Sequence, residues 1–311
     1  MNKKWDGKAY NSLNYFLREK FGEKVFKISL DAGFSCPNRD GTISKGGCVF
    51  CSERGSGDFA GNRCFSIEEQ FKAMKIVMNK KWKSGKYVAY FQAYTNTYAP
   101  VKVLREKYEE AMRQEGVVAL AIATRPDCLS QEVLELLEEL GKKIYIWVEL
   151  GLQTVNEKTA LIINRGYDLK TFEEAVNNLS KRNIAVVVHT IFGLPGEEKE
   201  DMLNTVKYLS KMPIDGIKFH LLHLMKNTAL VKLYEQGELR FLEEEEYIEL
   251  ICQAISLLPE RVVIHRLTGD SPRETLIGPM WSLKKWDILN SIDRKFIEKG
   301  LHQGLYFSTK G

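Results

Sequence analysis

The sequence predicts a parallel α/β fold in which strands and helices alternate along the chain. Three observations carry the prediction. Six short apolar runs rich in Val and Ile recur, amphipathic stretches of helical length separate them, and Gly, Pro or polar residues follow the runs. Nearly continuous apolar runs suit strands buried on both faces, and alternation with helices suits parallel pairing, whose crossovers need a helix.

The elements follow in order. The predicted strands are KVFKISL (24–30), YVAYFQA (87–93), VVALAIA (117–123), KIYIWVEL (143–150), IAVVVHTIF (184–192) and GIKFHLL (216–222). Helices are predicted over 66–82, 100–115, 130–140, 168–182 and 197–211. The first opens on SIEE, where Ser66 and Glu69 are spaced for a capping box. Six β/α units are too few for a closed eight-fold barrel, which leaves a doubly wound sheet or an open partial barrel. After about residue 236 the rhythm changes to a charged helix (EEEEYIELICQAISLL), a strand (RVVIHRL), a Gly/Pro loop and a last helix over about 280–299. The expected division is a core over 1–235 and a C-terminal α/β extension over 236–311 packed on it. The Glu243–Glu246 run reads as a solvated first helical turn favoured by the helix dipole.

Composition sets bounds. The chain has 311 residues, 44% of them apolar, enough for a sizeable core. Its net charge of +4 permits a nucleic-acid partner without demanding one. The N-terminus MNKKWDGKAYNSLNYF has no apolar segment of the secretory kind, and no run approaches the ~18 apolar residues of a membrane span. The expectation is a cytoplasmic protein with no membrane partner, and there clustered cysteines mean metal or catalysis more often than disulfides.

Three of the six cysteines crowd one loop directly after the first predicted strand, SCPNRDGTISKGGCVFC, spaced C-x11-C-x2-C. Four thiols suggest structural zinc and two a dithiol redox pair. Three suggest a metal centre with one position open for chemistry, or a zinc site completed by a His. In parallel barrels the loops at the C-terminal strand ends build the active site. Other polar residues fall on that edge: TNTY (95–98), TRPD (124–127), Glu149 with Gln153, GLPGE (193–197) and KNT (226–228). Cys64, Cys128 and Cys252 need no function. His189 reads as a satisfied core residue, whereas His220, His223 and His265 are weak candidates for a substrate site.

The segments DAGFSCPNRDGT, GGCVFC, FQAYTNTYAP, ATRPDCL, ELGLQT, INRGYD, HTIFGLPGE and HLLHLMKNT together resemble the radical S-adenosylmethionine superfamily. The long first cysteine gap is similar to relatives of the Elp3 type. The set as a whole resembles the YtqA/YhcC-like subgroup, also called MnmL-type, over roughly residues 5–300. The resemblance implies a partial (β/α)6 TIM-like barrel. It implies a [4Fe–4S] cluster on Cys36, Cys48 and Cys51, with the fourth iron chelated by S-adenosylmethionine and a 5′-deoxyadenosyl radical released. Gly46 and Gly47 let the backbone approach the cluster.

By resemblance Phe50 lies under the adenine, Arg165 sits near the cofactor carboxylate, and the segment carrying Gly193 packs beside the adenine. Thr95 and Asn96 occupy the place where relatives bind the cofactor amino group, although this chain lacks the usual Gly-Gly-Glu there. Glu149 is either a solvated strand terminus or a partner of the ribose hydroxyls, and Gln153 joins the cofactor-binding candidates. The subgroup resemblance implies a tRNA substrate: conversion of a 5-carboxymethylaminomethyl group on the wobble uridine to 5-aminomethyl, ahead of a separate tRNA methyltransferase. An electron donor such as flavodoxin or ferredoxin is the expected second partner. A basic tail carrying Trp281 and Trp286 could hold an RNA stem-loop, or be an amphipathic helix whose Trp residues are core. Candidates for the substrate carboxylate are Lys226, Arg266 and Arg273. Two rival readings stay open: a radical enzyme acting on a small molecule or a protein side chain, and a zinc-bound RNA-binding module without catalysis.

Overall fold

In a computed structural model of the chain, which describes residues 4–80 and 85–308, seven parallel strands form one sheet. The strands in chain order are β1 (Val25–Leu30), β2 (Lys86–Phe91), β3 (Val117–Thr124), β4 (Tyr145–Gln153), β5 (Ala185–Phe192), β6 (Gly216–Leu221), β7 (Leu224–Met225), β8 (Val263–Arg266) and β9 (Leu276–Gly278). The large sheet runs β1-β2-β3-β4-β5-β6-β8, and β7 pairs with β9 in a small antiparallel ladder. The helices are α1 (Leu13–Phe21), α2 (Ile67–Asn79), α3 (Val101–Met112), α4 (Gln131–Gly141), α5 (Glu157–Ile162), α6 (Leu169–Ser180), α7 (Lys199–Ser210), α8 (Leu230–Glu235), α9 (Glu244–Ser256) and α10 (Lys285–Glu298).

All six predicted strands form, each within about three residues of its expected ends. The architecture is a partial barrel of parallel strands, with seven strands rather than six. The seventh is RVVIHRL, which the change of rhythm assigned to the extension. Its core, β8, pairs in parallel with β6 and sets Lys218 beside Arg266. Val262, Val263 and Ile264 are buried there, and the Ile264 N–H donates to the Asn11 carbonyl at 2.7 Å, which ties β8 to the segment before α1. A four-residue strand preceded by a helix and a turn carries too short a pattern to announce its sheet.

Several helices start at residues whose side chains cap them, Ser12, Ser130, Asn156 and Asp168 among them. Ser66 and Glu69 make the expected capping box on α2, and Glu243 with Glu246 makes another on α9. The predicted end of α2 at residues 81–82 lies outside the described residues. The expected last helix divides into a 3-10 turn at Met280–Leu283 and then α10. Among the described residues no helix is long and apolar enough to cross a membrane.

Side chains two apart on a strand share a face, and that rule locates the site. Val88, Ala119, Ala121, Trp147 and Val187 pack together as one buried cluster, separate from the main core. Two residues further along β4 and β5 the same face carries Glu149 and His189. The inner wall of the barrel therefore changes from apolar to polar toward the C-terminal ends of its strands, where the loops begin.

Candidate active site

A cavity of about 630 Å³ opens at that edge, lined by residues from β1 through β8 and the loops that follow. The size falls within the range of small-molecule and cofactor sites. Cys36, Cys48 and Cys51 all line it, and none is in a disulfide.

The loop that carries them is held from several sides. The Arg39 and Asp40 N–H groups both donate to the Cys36 carbonyl, and the Cys51 N–H donates to the Cys48 carbonyl at 3.0 Å. Fully buried Asn38 donates through Nδ2 to the Asn164 carbonyl at 2.7 Å and toward Cys48 Sγ at 3.5 Å. Asn164 returns the contact, donating to the Gly47 carbonyl at 2.8 Å. The Val49 N–H donates to Ile163 at 3.1 Å. Gly47 has a φ of 87°, and a Cβ there would come 2.8 Å from Arg39 Cγ, so the turn needs a glycine. Nothing in the residue pattern had marked the Asn38–Asn164 brace; the paired Asn in CPNRD and INRG is the signal that could have found it.

Phe50 lines the cavity and packs with Ile163, Ile191, Leu194 and Leu222, which gives that wall an apolar face. Thr95 and Gln153 also line it. Gln153 follows a register shift against β5 and has a φ of 69°, so the irregular strand end re-aims its side chain. Arg165 reaches the cavity wall, but its guanidinium is committed. It donates to the carbonyls of Tyr167 at 2.9 Å, Leu152 at 3.3 Å and Thr154 at 2.8 Å, and to Glu157 at 2.7 Å. Arg125, unnoticed as a site residue in the sequence, lines the cavity beside it. It donates to Asp127 through Nε and Nη2 and to the Arg165 carbonyl at 2.9 Å.

Glu149 is not a solvated strand terminus, being 1% exposed. Trp147 Nε1 donates to Oε1 at 2.9 Å, His189 Nε2 lies 2.8 Å from Oε2, and Lys218 Nζ donates to Oε2. Lys218, itself buried, also donates to the Tyr90 hydroxyl at 3.0 Å. Burial pushes the Glu149 carboxyl up, but the Lys218 ammonium and the His189 hydrogen bond outweigh it and hold the carboxyl well below the usual range. Burial and the Lys218 charge lower His189 to about 4. The ring is therefore neutral at pH 7 and donates through Nε2–H to the carboxylate. His189 is thus both hydrogen-bonded, as a core residue would be, and part of the cavity wall.

Five candidates do not line the cavity. Asn96 is fully buried, and its amide clamps the strand ends by donating to the carbonyls of Phe91 at 3.1 Å and Ala123 at 2.8 Å. Gly193 sits at a φ of 85° with its N–H toward Met202 Sδ. Lys226 is exposed and donates to the Glu274 carbonyl at 3.0 Å. Arg273 is exposed on the loop after β8. The remaining candidates, His220, His223 and Arg266, do line it, whereas His265 lies beneath, edge-on to Trp147. The tail Trp residues separate: Trp281 donates to the Leu242 carbonyl at 3.0 Å, while Trp286 is 76% exposed.

The donor set fits an iron–sulfur cluster. Burial raises the Cys51 thiol to about 12 and also raises Cys48, and the neighbouring cysteines repel a second negative charge. Thiols so placed do not ionise unaided, whereas cluster iron binds thiolate. Among the described residues no three His, Cys, Asp or Glu side chains are arranged around a single metal ion. Cys36, Cys48 and Cys51 would hold the cluster, and the thiols of Cys64 and Cys252 lie elsewhere, one exposed and one buried in α9. With S-adenosylmethionine bound, the cluster supplies one-electron cleavage of a cofactor C–S bond. The surrounding chains exclude water and position what reacts.

Comparison with known proteins agrees. The Radical SAM superfamily matches residues 39–209, and the Radical SAM C-terminal domain matches residues 214–298. The uncharacterized protein YtqA of Bacillus subtilis is 53% identical over 300 residues, 96% of this chain and 93% of its own length. A tRNA uridine(34) acetyltransferase of Methanocaldococcus jannaschii is 29% identical over 185 residues, 58% of this chain and 33% of its own length. The solved archaeal Elp3 of Methanocaldococcus infernus, with an N-terminal deletion, has the same fold at a TM-score of 0.69 and 19% identity. That alignment covers 90% of this chain and 64% of the archaeal one, so this chain spans less than two thirds of it. The family match runs over more than half of the sequence and includes two of the three cavity cysteines, and on that footing the chain belongs to the radical S-adenosylmethionine superfamily, as an enzyme whose cofactors are a [4Fe–4S] cluster and S-adenosylmethionine.

Proposed function

We propose that the enzyme acts on the wobble uridine of tRNA, converting 5-carboxymethylaminomethyluridine, with or without a 2-thio group, to the 5-aminomethyl form. The observation that carries this reading is the rim of the cavity. Lys285, Leu283 and Pro272 line it, and their chain neighbours Lys284, Trp286 and Arg273 are exposed. Cationic side chains and a free aromatic ring beside a cavity of this size suit a single-stranded loop with one base turned inward. A wobble base held in a stack cannot present its 5-substituent to a buried reactive site. A relative named as a tRNA uridine(34) acetyltransferase aligns with more than half of this chain at 29% identity, which supports the same nucleoside.

The chemistry asked of the site is removal of a hydrogen atom from the methylene between the amine nitrogen and the carboxylate. Both neighbours stabilise the carbon radical. Loss of a further electron to the oxidised electron carrier, with loss of the N–H proton, gives an imine. Water then adds to it and cleaves the C–N bond, freeing the amine and releasing the two-carbon unit as glyoxylate. An electron donor such as flavodoxin or ferredoxin supplies the reducing electron, and a tRNA methyltransferase acts afterwards on the freed amine. Deletion of the gene is expected to make the carboxymethylaminomethyl nucleoside accumulate while the aminomethyl and methylaminomethyl forms disappear, measured by mass spectrometry of digested tRNA. An unchanged nucleoside profile removes the tRNA reading and leaves a radical enzyme with another substrate.

A further inference from the structure

The cavity wall formed by β5, β6 and β8 carries more polar groups than the protein itself satisfies. Two carboxylates face it. Glu149 is occupied by Trp147, His189 and Lys218. Asp270 is held by Lys285 at 2.7 and 2.8 Å and more loosely by Arg266 at 3.4 Å. Lys27 feels the charges of Glu149, Arg266, Lys285 and Asp270, so cations outnumber acids at this end. Two imidazoles remain. His220 and His223 both line the cavity, and Nε2 of each is shielded from solvent without a hydrogen-bond partner. They meet at Gly269, where a Cβ would lie 3.1 Å from His223 Cε1 and 4.0 Å from His220 Nδ1. Shielded nitrogens without partners are costly, and side by side on a cavity wall they mark where a ligand atom completes the set.

We propose that Arg266, His220 and His223 form the subsite for the carboxylate of the substrate, with the guanidinium pairing to the carboxylate and the imidazole N–H groups meeting its remaining lone pairs. A planar guanidinium matches a carboxylate through two parallel N–H bonds, which an ammonium cannot. Lys218 and Lys285 are held close against Glu149 and Asp270, whereas Arg266 reaches Asp270 only at 3.4 Å. Exposed Lys226 and Arg273, outside the cavity, are left for the RNA backbone. The inference rests on the tRNA reading and adds to it the feature that separates substrate from product, since conversion to the amine removes the carboxylate.

The test uses cluster-loaded protein without reductant, so that no turnover occurs. The probes are two anticodon stem-loop RNAs of one sequence, carrying either 5-carboxymethylaminomethyluridine or 5-aminomethyluridine at the wobble position. Wild type is expected to bind the first about ten- to a hundred-fold more tightly, the scale of a charge-assisted contact. Arg266→Gln, and to a smaller degree Arg266→Lys and His220→Gln, lose that preference and keep the affinity for the aminomethyl loop, which also shows that they are folded. Equal wild-type affinity for both loops overturns the subsite and leaves the tRNA reading standing. A preference retained in Arg266→Gln, or equal loss on both loops in both Arg266 variants, does the same. Failure of wild type to bind either loop removes the tRNA reading, and this inference with it.

Discussion

Cys51→Ala is expected to abolish iron and sulfide binding and to reduce S-adenosylmethionine cleavage to background, and Cys36→Ala and Cys48→Ala do the same. Each thiol lines the cavity on one braced loop, and a cluster that keeps one iron for its cofactor has no ligand to spare. Alanine at Cys64 or Cys252 leaves iron content unchanged, because one thiol is exposed and the other lies in α9. Cys128 is the informative control. It lies near enough to Cys36 for their charges to interact, and its thiol donates weakly toward Asp127 at 3.8 Å. Iron content is read by elemental analysis and the cluster by its visible and electron-paramagnetic-resonance spectra. Full cluster and full cleavage in Cys51→Ala would contradict the ligand assignment; loss of iron in Cys128→Ala would make that residue a fourth ligand.

Glu149→Gln has the largest expected effect on stability. The substitution keeps shape but removes the charge opposite Lys218, whose side chain is 2% exposed. Burial already pushes the Lys218 ammonium well below its usual range, and breaking a buried pair from one side typically costs about 3–5 kcal/mol, whatever the intact pair is worth. The loss is measured by anaerobic denaturant unfolding. Glu149→Gln combined with Lys218→Met should recover much of it, because the stranded charge is then gone. The ribose-binding role expected from the sequence gives the opposite pattern: unchanged stability with cofactor affinity weakened about ten- to a hundred-fold. One pair of measurements therefore separates a carboxylate that builds the barrel wall from one that holds the cofactor.

Strand positions were legible because parallel strands buried on both faces leave long apolar runs, as in VVALAIA and IAVVVHTIF. The same property hid the chemistry inside them. Glu149, His189 and Lys218 each interrupt such a run on the inward face, and only the assembled barrel brings β4, β5 and β6 side by side. A charged or polar residue at a period-two position in a buried strand is the available signal, and it marks His189 and Lys218 as well as Glu149. The cysteine loop could be read because three thiols in seventeen residues have few uses. Asn96 and Gly193 lie on the expected edge but serve the strand ends, since position along a strand does not say which way a loop side chain turns. Lys226 and Arg273 attracted notice by charge, and charge without a buried neighbour belongs to the surface. Arg266 was distinguished from them only by β8 joining the sheet, which a four-residue strand could not declare.

Reconstitution with defined components decides whether the enzyme acts on this nucleoside. Anaerobic cluster-loaded protein is mixed with a reductant, S-adenosylmethionine and tRNA carrying the 5-carboxymethylaminomethyl group, and the nucleosides are analysed by mass spectrometry. Conversion to the 5-aminomethyl nucleoside with formation of 5′-deoxyadenosine is expected, both absent when Cys51→Ala replaces the wild type. Protein that cleaves the cofactor but leaves that nucleoside untouched, while turning over a small molecule or a peptide, would contradict the tRNA reading.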